Sequence, residues 1–138
     1  MRENFDKAFQ LTVGLEGGYS NDPRDPGGAT RYGIAKKYHP QEDIENLTLD
    51  RAKEIYLAEY WIPVGCDNQA YPMDVCLFDG AVNPQRGGNK ELLSQNPENW
   101  QELLLLRMVR YMKYSKPEYV KGHLFRVLKL FEQIKESM

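Results

Sequence analysis

The chain has 138 residues, 41% of them hydrophobic and 28% charged, and a formal net charge of −2. This composition is typical of one globular domain with its own core, and it excludes a disordered or fibrous protein. The weak net charge argues against nucleic acid as the main partner, since binding to phosphates depends on a strongly basic surface.

The first predicted element is an amphipathic helix. Phe5, Phe9 and Val13 recur at intervals that place them on one helical face, and Glu16 falls at the end of that face. Gly17-Gly18 comes next, and glycine just past a helix predicts its end. We therefore expect Glu16 to end the helix with its carboxyl pointing toward the core, where an apolar environment favours the protonated acid.

A loop rich in proline and glycine follows this helix, over residues 20–28. Its two Asp-Pro pairs and its glycine pair cannot form the interior of a helix. We expect a short helix or turn around Tyr32–Tyr38. The chain shows no convincing alternation of polar and apolar residues that would indicate β-strands.

Two helices are predicted in the middle of the chain. Thr48 is typical of an N-cap for a helix that runs to about Trp61 and is ended by Pro63. The stretch Asp74–Val82 is apolar on almost all sides, which is the pattern of a buried central helix.

Two further helices are predicted at the C-terminal end. Asn96-Pro97-Glu98 has the residues of a helix start, for a helix that runs to about Tyr114. Ser115-Lys116-Pro117-Glu118 is typical of a capping box, and an apolar stripe follows it. The predicted fold class is all-α: a mainly helical bundle in a single domain, without repeats or linkers.

Two acids and a hydroxyl near the N-terminal end form a set that can cleave a glycosidic bond. Asp25 follows Glu16 after eight intervening residues, and Thr30 follows Asp25 after four. In glycoside hydrolysis one carboxylic acid protonates the leaving oxygen, and a second carboxylate stabilises positive charge or activates a water molecule. The alternative for Asp25 is structural, because aspartate before proline commonly closes a turn through its own backbone.

The remaining reactive side chains indicate no metal site and no cofactor. His39 and His123 have no cysteine or acid at the spacing of metal ligands. Cys66 and Cys76 are too few for a disulfide scaffold, and we expect them to be small buried hydrophobic residues.

Four motifs in a fixed order span nearly the whole chain: residues 16–34 from Glu-Gly-Gly-Tyr through the Pro/Gly loop, Ile55-Tyr56 with Tyr60-Trp61, Phe78-Asp79-Gly80-Ala81-Val82-Asn83, and Gly122-His123-Leu124-Phe125-Arg126-Val127. Together they resemble glycoside hydrolase family 108, bacterial and phage N-acetylmuramidases that act on peptidoglycan. The last motif departs from the family pattern, with His123 in place of a tryptophan.

The resemblance implies a lysozyme-like helical domain in which Glu16 is the essential acid. The spacing of Glu16, Asp25 and Thr30 is also similar to that of the catalytic triad of phage T-type lysozymes. In those enzymes five residues usually separate the aspartate from the threonine, whereas here there are four. The second half departs from the family, because residues 84–90 form a short joint where a peptidoglycan-binding signature is common. We therefore expect one muramidase-like domain over 1–138, with a catalytic half to about 83 and shortened C-terminal helices from about 84.

The expected activity is cleavage of the β-1,4 bond between N-acetylmuramic acid and N-acetylglucosamine. Glu16 is the expected general acid, Asp25 the second carboxylate, and Thr30 the group that orients water or supports the loop. The residues expected to line the sugar groove are Tyr19, Tyr32, Trp61 and Asn83. This chemistry requires no metal and no cofactor. Two alternatives stay open: a lytic transglycosylase, which would not need Asp25, and a peptidoglycan-binding module without catalysis.

The partners and location follow from the same expectations. The expected partner is the glycan strand of peptidoglycan, bound by a monomer, with no nucleic acid. No apolar run approaches the roughly 20 residues that span a bilayer, so we expect no stable membrane insertion. The start, Met1–Lys7, lacks the apolar segment of a signal peptide. We therefore expect a protein made in the cytoplasm that reaches the wall through a holin or a secretion system, as a phage or prophage endolysin does.

Overall fold

Seven α-helices and one small antiparallel sheet make up the computed structural model, which describes all 138 residues. The helices are α1 (Phe5–Thr12), α2 (Leu49–Tyr56), α3 (Ile62–Val64), α4 (Met73–Val82), α5 (Gly88–Ser94), α6 (Trp100–Tyr114) and α7 (Pro117–Glu136), and the strands are β1 (Thr30–Arg31) and β2 (Ile34–Ala35). This confirms the mainly α, lysozyme-like helical fold. None of the helices combines the length and apolarity that crossing a bilayer requires.

Helix α4 forms the centre of the molecule, as its apolar sequence predicts. Every residue from Asp74 to Gly80 is buried, and α4 packs against α1, α5 and α6. Aromatic rings surround Phe78, with Phe5 meeting it edge-on at 5.7 Å and Trp61 tilted at 5.8 Å between ring centroids. Such arrangements are the favoured ones for aromatic pairs in a core. The core therefore joins the N-terminal helix to the middle of the chain.

A buried ion pair ties the C-terminal helices to this centre. Arg107 of α6 contacts Asp79 of α4 at 2.7 Å, and both side chains are almost fully buried. Thr12, the last residue of α1, donates its hydroxyl to the same carboxylate at 2.8 Å. Burial by itself lowers the pKa of the Arg107 guanidinium, but the charge of Asp79 and the nearby Tyr111 hydroxyl raise it above its ordinary value. The hydrogen bond from Thr12 to Asp79 thus attaches the end of α1 to the buried ion pair.

Helix α1 ends four residues earlier than its sequence pattern predicts. It stops at Thr12, and the Phe9 carbonyl accepts bonds from the amides of both Val13 and Gly14. Gly14 has a φ of +87°, a left-handed conformation that favours glycine. The prediction that the helix extends to Glu16 was wrong because Gly14, rather than Gly17, ends it.

A β-hairpin occupies the segment for which we predicted a short helix or turn. Arg31 pairs with Ile34 across a two-residue turn made of Tyr32 and Gly33. Both turn residues have positive φ, the requirement of a type I′ turn. An isolated bridge from Ser20 to Thr30 closes the intervening Pro/Gly loop at its base. The strands are too short to produce a recognisable alternation, which is why the sequence did not indicate them.

The helix after Thr48 starts where predicted and ends later. The Thr48 hydroxyl accepts a bond from the Arg51 amide at 3.1 Å, which confirms the N-cap. Beyond Tyr56 the chain continues through a wider helical turn and then α3, which ends at Gly65. The prediction that Pro63 ends the element was wrong, because Pro63 lies within α3, which follows the wider turn directly.

The C-terminal half contains one helix that was not predicted, and another of its helices starts later than predicted. Residues 84–90 are more than a joint, because they lead into α5. Helix α6 begins at Trp100 instead of near Asn96, and the Asn99 side chain caps it by accepting from the Glu102 amide at 2.8 Å. Asn96 has a φ of 53° and therefore lies outside any right-handed helix. The predicted end at Tyr114 is confirmed.

Helix α7 begins at Pro117 inside the predicted motif, but without a capping box. No side chain caps its first turn, and Ser115 instead shares a 2.9 Å hydrogen bond with Nδ1 of His123. Helices α6 and α7 pack against each other as a hairpin. One edge of α7 lies beside the end of α1, where the site is found.

Candidate active site

A groove runs across the surface where α1, the hairpin and α7 meet. It consists of three neighbouring depressions, and Val13 borders all of them. The Glu16 depression, bordered by Glu16 and Gly17, has a volume of about 540 Å³. The α7 depression, bordered by Phe125 and Lys129, has a volume of about 440 Å³. The Asn83 depression, bordered by Asn83, has a volume of about 250 Å³. The two larger volumes are in the range of small-ligand sites, so the groove can hold more than one sugar unit.

Glu16 lies on an irregular segment between α1 and the Pro/Gly loop, with an exposed side chain. It borders the Glu16 depression together with Gln10 of α1, neighbours on its own segment and the two hairpin-turn residues: Leu15, Gly18, Tyr32 and Gly33. The expectation that its carboxyl points into the core was wrong, because the helix ends before it. The acid instead faces the groove from its rim, and none of the ion pairs in the structure includes it.

Two neighbours hold the backbone next to Glu16. The ring of Tyr32 packs directly on Gly17, where a Cβ atom would lie only 2.2 Å from the ring. Gly17 also has a φ of +56°. A residue with a side chain is therefore disfavoured there both by the contact with the ring and by the backbone conformation. Arg31 donates from its guanidinium to the Gly17 carbonyl at 2.9 Å. The segment that carries the acid is therefore positioned from the hairpin.

The hairpin turn is itself anchored to α2. The Tyr56 hydroxyl donates to the Tyr32 carbonyl at 2.6 Å. Burial, with smaller effects from Tyr60 and Glu59, raises the pKa of the Tyr56 hydroxyl above its ordinary value, so that it stays a donor. Gly33 leaves room for this hydroxyl, which would lie 2.7 Å from a Cβ atom there. The contact connects the groove to the buried aromatic core.

Asp25 and Thr30 lie on the Pro/Gly loop and are not among the residues that border the Glu16 depression. The Asp25 side chain is exposed, and its Oδ1 accepts a bond from the Gly27 amide at 2.8 Å. Thr30 starts β1, and its hydroxyl donates to the Gly28 carbonyl at 3.3 Å. Both side chains thus stabilise the loop, and the other carboxylate oxygen of Asp25 is free.

The predicted sugar-binding residues divide into two groups. Tyr32 and Asn83 border the groove, and the Asn83 side-chain nitrogen has no hydrogen-bond partner. Tyr19 is partly exposed beside Arg31 and does not border any of the three depressions. The expectation that Trp61 lines the groove was wrong. Its side chain is fully buried in the aromatic core, and its indole donates to Asp67 at 2.7 Å.

Other groove residues had no predicted role. Gln10 and Val13 come from the end of α1, and Phe125, Arg126 and Lys129 from one edge of α7. Lys129 follows Phe125 and Arg126 by about one helical turn, so the edge of α7 presents the three side chains together. The sequence did contain a signal for two of them, since Phe125 and Arg126 belong to the last of the four motifs. It could not show that α7 crosses the chain beside α1.

The chemistry available in the groove depends on one free acid. Asp79 also borders the α7 depression, but it is buried and paired with Arg107, which leaves it unsuited to exchange protons with a substrate. Glu16 is exposed, unpaired and beside a depression of saccharide size. A carboxylic acid in this position can donate a proton to a leaving oxygen.

Comparison with known proteins adds two findings. The family model described as Glycosyl hydrolase 108 matches residues 9–84, which is more than half of the chain. The solved structure of SagA from Brucella abortus is similar over 99% of this chain and 96% of that chain, with a TM-score of 0.73 and 21% sequence identity. At that identity the likeness concerns the fold. No curated protein sequence matches the chain significantly.

Proposed function

The chain belongs to the glycosyl hydrolase 108 family, and we propose that it cleaves the β-1,4 bond between N-acetylmuramic acid and N-acetylglucosamine in peptidoglycan. It is a glycoside hydrolase of the muramidase type, and the family implies peptidoglycan as the substrate.

The observation that carries the proposal is the position of Glu16. Its free carboxyl group borders the Glu16 depression, the one with the largest volume of the three, in a groove formed by a single chain. We assign Glu16 as the general acid, which protonates the glycosidic oxygen as the bond breaks. Tyr32 and Asn83, which border the same groove, are assigned to contact the sugars. One copy of the chain supplies all of these groups, so a monomer suffices.

Asp25 is the proposed second carboxylate. Its free oxygen would stabilise positive charge or activate water, and the loop would bring it to the bound sugar. Thr30 is the proposed support of that loop, in agreement with its bond to Gly28. Peptidoglycan lies outside the cytoplasmic membrane, so the proposal includes release of the protein to the wall through a holin or a secretion route.

Replacement of Glu16 tests the proposal. Glu16→Gln keeps the size of the side chain and removes its transferable proton, so we expect the clearing rate of purified peptidoglycan to fall by about 100-fold or more. The matched control is Glu98→Gln, another exposed glutamate, which borders none of the depressions. The control should clear peptidoglycan at the wild-type rate. Equal activity of the two variants would refute the role of Glu16.

A lytic transglycosylase is the second candidate, and one observation favours it. Asp25 does not border the Glu16 depression and uses one carboxylate oxygen to close a turn. A transglycosylase needs only one acid, because a hydroxyl of the sugar itself attacks. Asp25→Asn separates the candidates: it should slow a hydrolase strongly and leave a transglycosylase near the wild-type rate.

A further inference from the structure

One edge of α7 presents two cations to the groove. Arg126 borders both the α7 depression and the Asn83 depression, and Lys129 follows it one turn later along the α7 depression. Both side chains are exposed. Through Arg126 this edge is continuous with Tyr32 and Asn83, which we assigned to sugar contacts. The positive charge therefore lies along the path of a bound glycan.

Neither cation is neutralised within the chain. None of the nine ion pairs in the structure involves Arg126 or Lys129. For Arg126 the reason is in the sequence, because no acid stands one helical turn away: those positions hold Gly122, His123, Lys129 and Leu130. The one acid that borders the α7 depression is Asp79, and it is already paired with Arg107.

Gly122 lies one helical turn before Arg126. It lies inside the twenty-residue helix α7 and borders the α7 depression. A Cβ atom placed on it would meet nothing within 4 Å, so packing does not require a glycine there. Glycine inside a helix is unfavourable, and no packing contact of Gly122 accounts for it here.

We propose that Arg126, assisted by Lys129, binds a carboxylate of the peptide stem attached to N-acetylmuramic acid. This inference rests on the proposed function, and it narrows the substrate class to peptide-bearing glycan strands with free carboxylates. The planar guanidinium matches the geometry of a carboxylate through two parallel hydrogen bonds. A neutral strand made of N-acetylglucosamine alone has no such group. The edge of α7 thus distinguishes peptidoglycan from neutral glycans.

Binding to charged and neutral forms of one ligand tests this inference. The Glu16→Gln protein is titrated calorimetrically with a short soluble glycan strand bearing peptide stems with free carboxylates, and with the same strand after amidation of those carboxylates. Adding Arg126→Gln should weaken binding of the free acid about tenfold and leave the affinity for the amidated strand unchanged. Arg126→Lys should give a smaller loss of affinity, because lysine keeps the positive charge but cannot form the two parallel hydrogen bonds of the guanidinium.

The matched control is Lys121→Gln, an exposed cation on the same helix that borders none of the depressions. It should not change the affinity for either strand. The inference is overturned if Arg126→Gln changes binding of both strands equally, or if neither strand binds. This failure differs from failure of the proposed function, which would appear as cleavage of peptidoglycan by the Glu16→Gln protein.

Discussion

The segment that carries Glu16 and the helix α4 below it are built in opposite ways. From Val13 to Ala29 the chain has no helix or strand, and its acid is exposed at the rim of the groove. Helix α4 is buried along most of its length and holds the Asp79–Arg107 ion pair. The reactive group therefore lies on irregular backbone, while its position depends on the buried part. Each prediction below changes one side of this contrast.

The largest expected effect comes from the buried side. Asp79→Ala leaves the Arg107 charge without its partner and removes the acceptor of the Thr12 hydroxyl. We expect a loss of about 3–5 kcal/mol in the free energy of unfolding, measured by urea titration. The control is Asp6→Ala, which breaks an exposed pair with Lys53 and should cost a small fraction of that amount. Similar losses for the two variants would contradict the structural role given to the buried pair.

A smaller effect on stability and a large one on activity is expected at Gly17. Gly17→Ala places a methyl group against the Tyr32 ring at a positive φ, which costs about 1–2 kcal/mol from the backbone alone. Because Glu16 is adjacent, we expect the rate of peptidoglycan clearing to fall by about 100-fold.

Gly18 provides the matched control for Gly17. Its φ is not positive, and a Cβ atom there would contact nothing. Gly18→Ala should therefore keep the stability of the wild type and clear peptidoglycan much faster than Gly17→Ala. Equal clearing rates for the Gly17 and Gly18 variants would show that the contact with Tyr32 does not position the acid.

The smallest effect is expected at the other side of the groove. Gly122→Ala replaces a glycine within α7 whose surroundings are open. The free energy of unfolding should rise by about 1 kcal/mol, since alanine favours a helix over glycine by that amount. Thermal or urea unfolding measures the change. A loss of stability would show that the surroundings of Gly122 are more tightly packed than the structure indicates.

The buried side of this contrast could be predicted from the sequence. A stretch that is apolar on almost all sides is typical of a buried central helix, so α4 was predicted from its composition. Thr48 was predicted as an N-cap because its hydroxyl satisfies a backbone amide locally. These features depend on neighbouring residues alone, and the helical fold follows from them.

The geometry of the site could not be predicted in the same way. Three glycines at positions 14, 17 and 18 offer competing helix ends. The contact between Tyr32 and Gly17 joins this segment to the hairpin, and it connects residues that are distant in sequence. Trp61 has the sequence features of a sugar-binding aromatic residue, but only the packing of Phe5 and Phe78 around it shows that it is buried. The edge of α7 joins the groove through contacts more than a hundred residues apart.

The most direct test of the central claim is the chemical identity of the products. Purified peptidoglycan is incubated with the wild-type protein in water enriched in heavy oxygen, and the soluble fragments are analysed by mass spectrometry. We predict fragments that end in reducing N-acetylmuramic acid carrying one oxygen from the labelled water. Anhydromuramic ends, reducing N-acetylglucosamine ends or the absence of soluble fragments would each contradict the proposed hydrolysis.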